Sequence, residues 1–466
     1  MGSPSELVEA HTFERRRFTG ALVSGSDRLG REDRQRPVRA VVGGLALAVL
    51  LCAGAVVARL LSPGPPDDWT SRGLIVSADT GQAFVIVPED AHEGADEDAG
   101  VELRPVANLT SARLVLGSDV EPAVVSQEAI DGQRVGPEIG VPDAPTSPPP
   151  PALLVQTGWS ACPSGAQRPL LRLGGEAPRP VAGAAQVVAV DGRSYLVADV
   201  QVDGEPPAAY SLPLPDTDAV DNLLVSLGLP ARVLASRVPR AWLDLVPTGA
   251  PLTWASFGLS GAGTRPAGWD AAGVPGRATV GDVLVDPVGE AVVMTRAGPA
   301  GLDPFAAAVY GHTRMPTGSA PALIPVRRLP DLARVRWPAG DLHWPTRLPV
   351  PLGSDPCAVL VADGDSAAVV RLGTRPEDDA GSDAPGVHVD PGHGALVRDM
   401  RAGHDSVAVL VDSAGLAHPV EGEDTLERLG YADVVPPTVP HAWMRLFAAG
   451  APLSRDRALC GRVSCG

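Results

Sequence analysis

The sequence contains no lysine: all 38 basic residues among its 466 are arginine. A Walker A loop needs a lysine to reach the nucleotide phosphates, and a Schiff base needs a lysine amine, so both chemistries are excluded. Aromatic residues are scarce at 4 %. The cores must therefore be built from Val, Leu and Ala, for which the 44 % hydrophobic content suffices. An excess of basic charge is missing as well. The 55 acids bring the formal charge to −17, which argues against a nucleic-acid binder dependent on a broad cationic face. Glycine (52) and proline (49) are abundant, just below the share that marks a low-complexity chain. The length suggests two to four domains.

The longest apolar run, Ala40 to Ala58, holds 19 residues without a charge. As a helix it covers about 28 Å, close to a bilayer core. Arg39 and Arg59 bracket it and can snorkel to the headgroups. The 39-residue leader is too long for a cleaved signal peptide. A lipoprotein reading of Cys52 fails on Leu51, which stands where a small residue is needed. The run is expected to be a retained span, residues 40–59. Residues 1–39 carry eight arginines, whereas from residue 60 onward 29 arginines face 49 acids. The positive-inside bias puts the short leader in the cytoplasm and the acidic bulk outside. An even number of cysteines outside the span (Cys162, Cys357, Cys460 and Cys465) fits an oxidising compartment. Three pairings are open; a local bridge Cys460/Cys465 would leave Cys162 with Cys357.

Three stretches beyond the span share one grammar. A strand pair turns at Asp79-Thr80-Gly81, at Asp191-Gly192 and at Ala414-Gly415, and a helix follows that stops at Leu116-Gly117, Leu227-Gly228 or Leu429-Gly430. The helices are expected to bury Leu109, Ala112 and Leu116 in the first copy, and Val220, Leu223, Leu224 and Leu227 in the second. Val238–Leu252 then matches Val439–Leu453 at nine of fifteen positions, including Trp242 with Trp443 and Gly249 with Gly450. A weaker copy runs from Val280 to Arg334 without the Leu-Gly stop. The run Thr146 to Pro151, TSPPPP, reads as a stiff linker.

The stretch LRPVANLTSARLVLG (Leu103 to Gly117), the paired VP–AW–L–GAPL endings and the leader HTFERRRFTGALV (His11 to Val23) resemble EccB, the single-span component of the actinobacterial type VII (ESX) secretion machinery. The resemblance covers nearly the whole chain. It implies an α+β fold: one N-terminal transmembrane helix, then an elongated extracytoplasmic region of β-hairpin/helix repeats around a central β-rich domain. Repeats are expected at 70–145, 181–265, 275–345 and 391–460. The central domain falls at 146–180, with the linker, and at 346–390. A disulfide across it is implied between Cys162 and Cys357, closing a loop of nearly 200 residues worth roughly 3–5 kcal/mol. Implied partners are an EccC-like FtsK-type ATPase, EccD- and EccE-like membrane subunits and other copies of the chain. In the leader, Leu7, Phe18 and Leu22 share a helical face and Arg15, Arg16 and Arg17 lie on others; the pattern fits both arginines set against anionic lipid and a helix that docks on another subunit, and the resemblance implies docking.

Reaction centres find little support. His388, His393 and His404 lack the spacing of a metal site, Ser260 in GLSGAG lacks the register of a nucleophile elbow, and Asp378-Asp379 has no partner motif. No cofactor or metal is expected, and the energy for transport is expected from the ATPase partner. Trp242 and Trp443 read as core residues from their spacing to Leu245 and Leu446. If they were exposed, an anchored cell-wall glycan-binding module would be the alternative.

Overall fold

The computed structural model describes residues 69–460, except 72, 87–101, 165–166, 202–203, 316–317, 319, 339–341, 354, 365, 376–385 and 402–405. The chain divides at Gly64. The expected leader and span, with Leu7, Phe18, Leu22, Arg15–Arg17, Arg39, Arg59 and Cys52, lie outside the described residues, as does Cys465. Among the described residues no helix is long and apolar enough to cross a membrane. The architecture is α+β, with mixed sheets and short helices.

Repeat 1 holds β1 (Leu74–Ser77), β2 (Ala83–Ile86), β3 (Glu102–Pro105), α1 (Leu109–Leu116), β4 (Ala123–Val125), α2 (Gln127–Asp131) and β5 (Arg134–Val135). Its sheet order is β4-β1-β2-β3-β5. The first three strands form an antiparallel meander, β4 runs parallel to β1 and β5 parallel to β3. After β6 (Trp159–Cys162) and β7 (Leu170–Leu173) comes repeat 2, with β8 (Ala184–Val190), β9 (Arg193–Val200), β10 (Ala208–Pro213), α3 (Ala219–Ser226), β11 (Ser236–Arg237) and α4 (Arg240–Leu243). Repeat 3 follows with β12 (Val283–Val285), β13 (Ala291–Thr295), β14 (Gly298–Ala300), α5 (Pro304–His312) and β15 (Leu323–Pro325). The short β16 (Val350–Pro351) returns to β8, and β17 (Pro356–Val361), β18 (Val369–Thr374) and β19 (Gly386–Val389) follow. Repeat 4 ends the fold with β20 (Ala395–Met400), β21 (Val407–Val411), β22 (Leu416–Pro419), α6 (Thr425–Arg428), β23 (Thr438–Pro440), α7 (His441–Met444), β24 (Ala448–Ala449) and α8 (Arg455–Leu459).

One topology recurs four times. The fourth strand pairs in parallel with the first in every copy, β11 with β8, β15 with β12 and β23 with β20. Repeat 3 is thus a full copy despite its weak sequence signature. The central sheet, β18-β17-β6-β7-β19, is assembled from two separate stretches, so repeats 2 and 3 form an insertion within it.

Local chemistry explains the elements. Asp191 (φ 50°) and Gly192 (φ 77°) both take positive φ, the requirement of a tight two-residue hairpin turn that matches strand twist. Asn108 caps α1 by accepting from the Ser111 amide at 2.8 Å and donates to the Val141 carbonyl at 2.7 Å. The Thr110 hydroxyl donates to Pro145 O, and Ser111 Oγ accepts from the Val141 amide. The polar residues of NLTSARLVLG therefore tie the helix to the 141–146 segment. The helix differs from expectation in its buried face. Leu114 and Val115 are buried with Ala112, while Leu109 and Leu116 are half-buried. The reason is that α1 packs on its own sheet and also against α6 and α8 of repeat 4.

The linker also departs from expectation. Pro148 and Pro149 are buried, and the buried Tyr431 hydroxyl donates to Pro149 O at 2.7 Å. TSPPPP is therefore packed into repeat 4 and is not a free spacer.

Candidate functional site

Among the described residues Asp412 meets His418 and Asp399 meets His441. No cluster of three or more His, Cys, Asp or Glu among them could hold a metal. Ser260 sits exposed on a turn, His388 lies on β19 and the half-buried His393 just after the turn at Pro391-Gly392; His404 and Asp378-Asp379 lie outside the described residues. What the fold builds instead is a set of seams around the central sheet, and these are the candidate site.

By register, Trp159, Ala161, Leu171, Leu173, Ala358, Leu360, Val370 and Leu372 share one face of that sheet. All are buried in one core with residues of repeats 2 and 4. The fifteen-residue match supplies the wedges: Val238, Trp242 and Leu245 from repeat 2, and Val439, Trp443 and Leu446 from repeat 4. Both tryptophans are fully buried, which removes the exposed platform that a glycan-binding reading required. The matching glycines have a steric cause. A Cβ at Gly249 would lie 2.6 Å from Leu212, and one at Gly450 would lie 2.4 Å from the His418 ring. Repeats 1 and 3 do not meet the central sheet in this core, and they lack the motif.

The two flanks are anchored differently. On the repeat 2 side, Trp242 Nε1 donates to Ala161 O at 2.8 Å. Arg371 of β18 grips Asp199 of β9 with two bonds, 2.6 and 2.9 Å, and Asp199 also accepts from the Gly183 amide. On the repeat 4 side, Trp443 Nε1 is buried with no hydrogen-bond partner among the described residues. The contacts there include Trp159 edge-on to Phe447 at 5.6 Å, Arg168 donating to Leu446 O at 2.9 Å and the Ala368 amide donating to Thr438 O at 2.8 Å.

Cys162 and Cys357 form a disulfide, with Cα atoms 4.2 Å apart. The register places them directly opposite each other on neighbouring antiparallel strands. The bridge thus staples β6 to β17 where the two separate stretches of the central sheet meet. Cys460 is disulfide-bonded as well.

Two outer seams complete the arrangement. Repeats 1 and 4 share an aliphatic core, in which Leu114 and Val115 join Leu410, Leu429 and Leu453; Arg428 donates across it to Val115 O. Repeats 2 and 3 join through Leu223, Leu224 and Leu227 of repeat 2 with Phe305, Val309 and Tyr310 of α5. Phe257 lies 5.0 Å from the Tyr310 ring, 5.3 Å from Trp337 and 5.2 Å from Trp344. Phe305, Trp254 and Tyr210 join the same cluster. Burial pushes the Tyr310 and Tyr431 phenols well above their ordinary range.

In repeat 4 the buried His418 ring faces Ala451 O through Nδ1 (2.9 Å) and Asp412 through Nε2 (3.3 Å). Burial pushes the Asp412 carboxyl up, but the His418 bond and the Leu416 and Ala414 amides outweigh it and hold the group below its usual value. Neither this pair nor Asp199–Arg371 was legible beforehand. The latter partners stand 172 positions apart, and no local spacing records such a contact.

Comparison with known proteins agrees with this architecture. Residues 5–464 match the family described as type VII secretion system ESX-1, transport TM domain B. The ESX-1 secretion system ATPase EccB1 of Mycolicibacterium smegmatis is 35 % identical over 142 residues, which span 30 % of this chain and 27 % of that protein. The ESX-2 secretion system ATPase EccB2 of Mycobacterium tuberculosis is 27 % identical, covering 97 % of this chain and 93 % of its own. Among solved structures, an EccB3 dimer from the ESX-3 core complex aligns with a TM-score of 0.60 at 20 % identity, over 84 % of this chain and all of that one. A chain of an intact ESX-5 inner membrane complex aligns with a TM-score of 0.56 at 22 % identity, covering 100 % of this chain and 96 % of that one. With four copies of one repeat around a stapled sheet and a family match along almost its full length, this chain belongs to the EccB family of type VII secretion proteins.

Proposed function

We propose that the chain is a structural subunit of a type VII secretion membrane complex that supports assembly and protein export. The observation that carries this is the family match over residues 5–464. The Trp242–Ala161 bond and the Asp199–Arg371 pair, which fix repeat 2 to the central sheet, agree with a scaffold. In this reading residues 40–59 span the membrane once, with the leader in the cytoplasm and the repeats outside. Leu7, Phe18, Leu22 and Arg15–Arg17 dock on EccC-, EccD- and EccE-like subunits. Further copies of the chain join through the repeats. A second bridge, Cys460–Cys465, closes the tail.

Relatives carry the name ATPase. We infer that this chain hydrolyses no nucleotide by a P-loop mechanism, because a chain without lysine has no Walker A lysine. Energy then comes from the FtsK-type partner. Deleting the gene in its own host tests the role: export through the cognate system should stop and return on complementation. Normal assembly and export without the chain would sink the proposal. Purified full-length protein should show no ATP turnover above a blank.

A further inference from the structure

Repeats 2 and 4 put different residues at one buried position. In repeat 2 the Gly249 amide donates to Ser211 O and the Leu252 amide to Pro213 O; in repeat 4 the Gly450 amide donates to Ala417 O and the Leu453 amide to Pro419 O. Leu212 of β10 and His418 of β22 therefore hold the same place, each fully buried beside its wedge glycine. The match extends to the neighbouring strand. Leu212 lies opposite Leu196 and His418 opposite Leu410, so the next residue on the same face is the buried Ala198 in one repeat and the buried Asp412 in the other. Repeat 2 thus folds with an apolar pair where repeat 4 has an acid and a histidine.

The surroundings of the ring fix how many protons it needs. Nδ1 faces Ala451 O at 2.9 Å and Nε2 faces Asp412 Oδ2 at 3.3 Å. The Asp412 carboxyl is held below its usual value and is ionised at neutral pH, so both partners are acceptors. Its Oδ1 already receives the Ala414 and Leu416 amides. Only the imidazolium can donate at both nitrogens; the neutral ring makes one bond and leaves a buried acceptor facing a lone pair. In register with His418 stand Leu410 on β21 and Leu396 on β20, both apolar. Glu421, after β22, pairs with Arg457 of α8, while Arg455 and Asp456 of α8 are exposed. Arg113 of α1 acts on the Tyr431 phenol, and His441 of α7 meets Asp399, which also binds Arg401.

We propose that the Asp412–His418 pair is a proton-dependent latch that fastens the 450–459 segment of repeat 4 and, through it, the seam with repeat 1. The pair ties the β21–β22 turn to Ala451. From there the chain enters the core shared by repeats 1 and 4 at Leu453 and continues into α8, which packs on α1. Cys460 O then accepts from the Gly140 amide of repeat 1. With the ring doubly protonated both bonds hold. As the pH rises past about 6.5, where a free histidine titrates, the ring gives up one proton and one bond, and the segment opens more readily. The charged ring is the form that the folded arrangement favours, so the contribution is full on the acid side of that range and lost above it. Its lower limit is the protonation of Asp412.

Hydrogen exchange of the full-length protein in detergent, read by mass spectrometry at about pH 6 and about pH 8 and corrected for the intrinsic rate, tests the latch. Peptides from 450–459 should open about tenfold more at the higher pH, the loss of one bond to a charged group. His418→Leu with Asp412→Ala rebuilds the pair with which repeat 2 folds, and its ratio should fall to about one. Asp412→Asn should do the same, because the asparagine amide can donate to Nε2 of a neutral ring. Exchange in repeat 2 that matches the parent protein shows each variant to be folded. A ratio near one in the parent protein would overturn the proposal. So would an undiminished ratio in either folded variant, which would assign the pH dependence to another group such as His441.

Discussion

Repeats 2 and 4 carry nearly the same fifteen-residue wedge, yet they hold the central sheet by different means. On one flank Trp242 has a carbonyl partner and a two-bond Asp199–Arg371 pair locks strand to strand. On the other, Trp443 has no partner among the described residues, and the polar anchors end on backbone carbonyls, Arg168 on Leu446 O and the Ala368 amide on Thr438 O. The apolar shape of the wedge is thus the shared element, and the hydrogen bonds were fitted separately. Shape alone specifies where a wedge sits; a buried polar group adds stability only when its partner is present. Repeat 2 is therefore the flank locked by a buried ion pair, and repeat 4 the flank held through backbone carbonyls.

The largest effect that would break this contrast is expected from the staple at the root of the insertion. Replacing both Cys162 and Cys357 by Ala should lower stability by about 3–5 kcal/mol in the chain-entropy model. Chemical denaturation of full-length protein with and without reductant would measure it, and the variant should show no further loss on reduction of that bridge. Next, Arg371→Ala leaves Asp199 buried without its charge partner and should cost about 3–5 kcal/mol. Arg168→Ala, the counterpart on the repeat 4 flank, removes one bond to a carbonyl and should cost about 1 kcal/mol. Equal losses would contradict the asymmetry. A finer comparison uses the tryptophans themselves. Trp242→Phe deletes the indole bond to the Ala161 carbonyl and should cost about 1 kcal/mol more than packing alone, whereas Trp443→Phe removes an unpaired donor and should stay below that.

The smallest effect is the pH dependence that Asp412 contributes in repeat 4. The folded-state Asp412 carboxyl lies below its ordinary value, so the unfolded chain binds the proton more readily. Its contribution is present above roughly pH 4 and is lost as the pH falls through the folded value. Asp412→Asn should flatten the stability profile in that acid window, as followed by chemical denaturation at a series of pH values.

Particular residues show how much of this could be read from sequence. The hairpin at Asp191-Gly192 and the stops at Gly117, Gly228 and Gly430, all at positive φ, are local requirements that leave local signatures. Trp242 with Leu245 showed its core role through helical spacing. The Cys162–Cys357 bridge came from family resemblance, since the count alone left three pairings. Repeat 3 was faint because it meets no part of the central core and so lacks the wedge that made repeats 2 and 4 look alike. The second packed side of α1, the docking of Pro149 on Tyr431, and the Asp199–Arg371 pair depend on segments far apart in the chain. No period or spacing encodes such contacts.

The most direct test of the central claim is gentle detergent extraction of the tagged full-length protein from its own membranes, followed by native sizing and mass spectrometry. The account predicts a megadalton-scale species containing an FtsK-type ATPase, multi-span subunits and several copies of this chain. A lone monomer or small homo-oligomer, reproduced after cross-linking in intact cells, would contradict it.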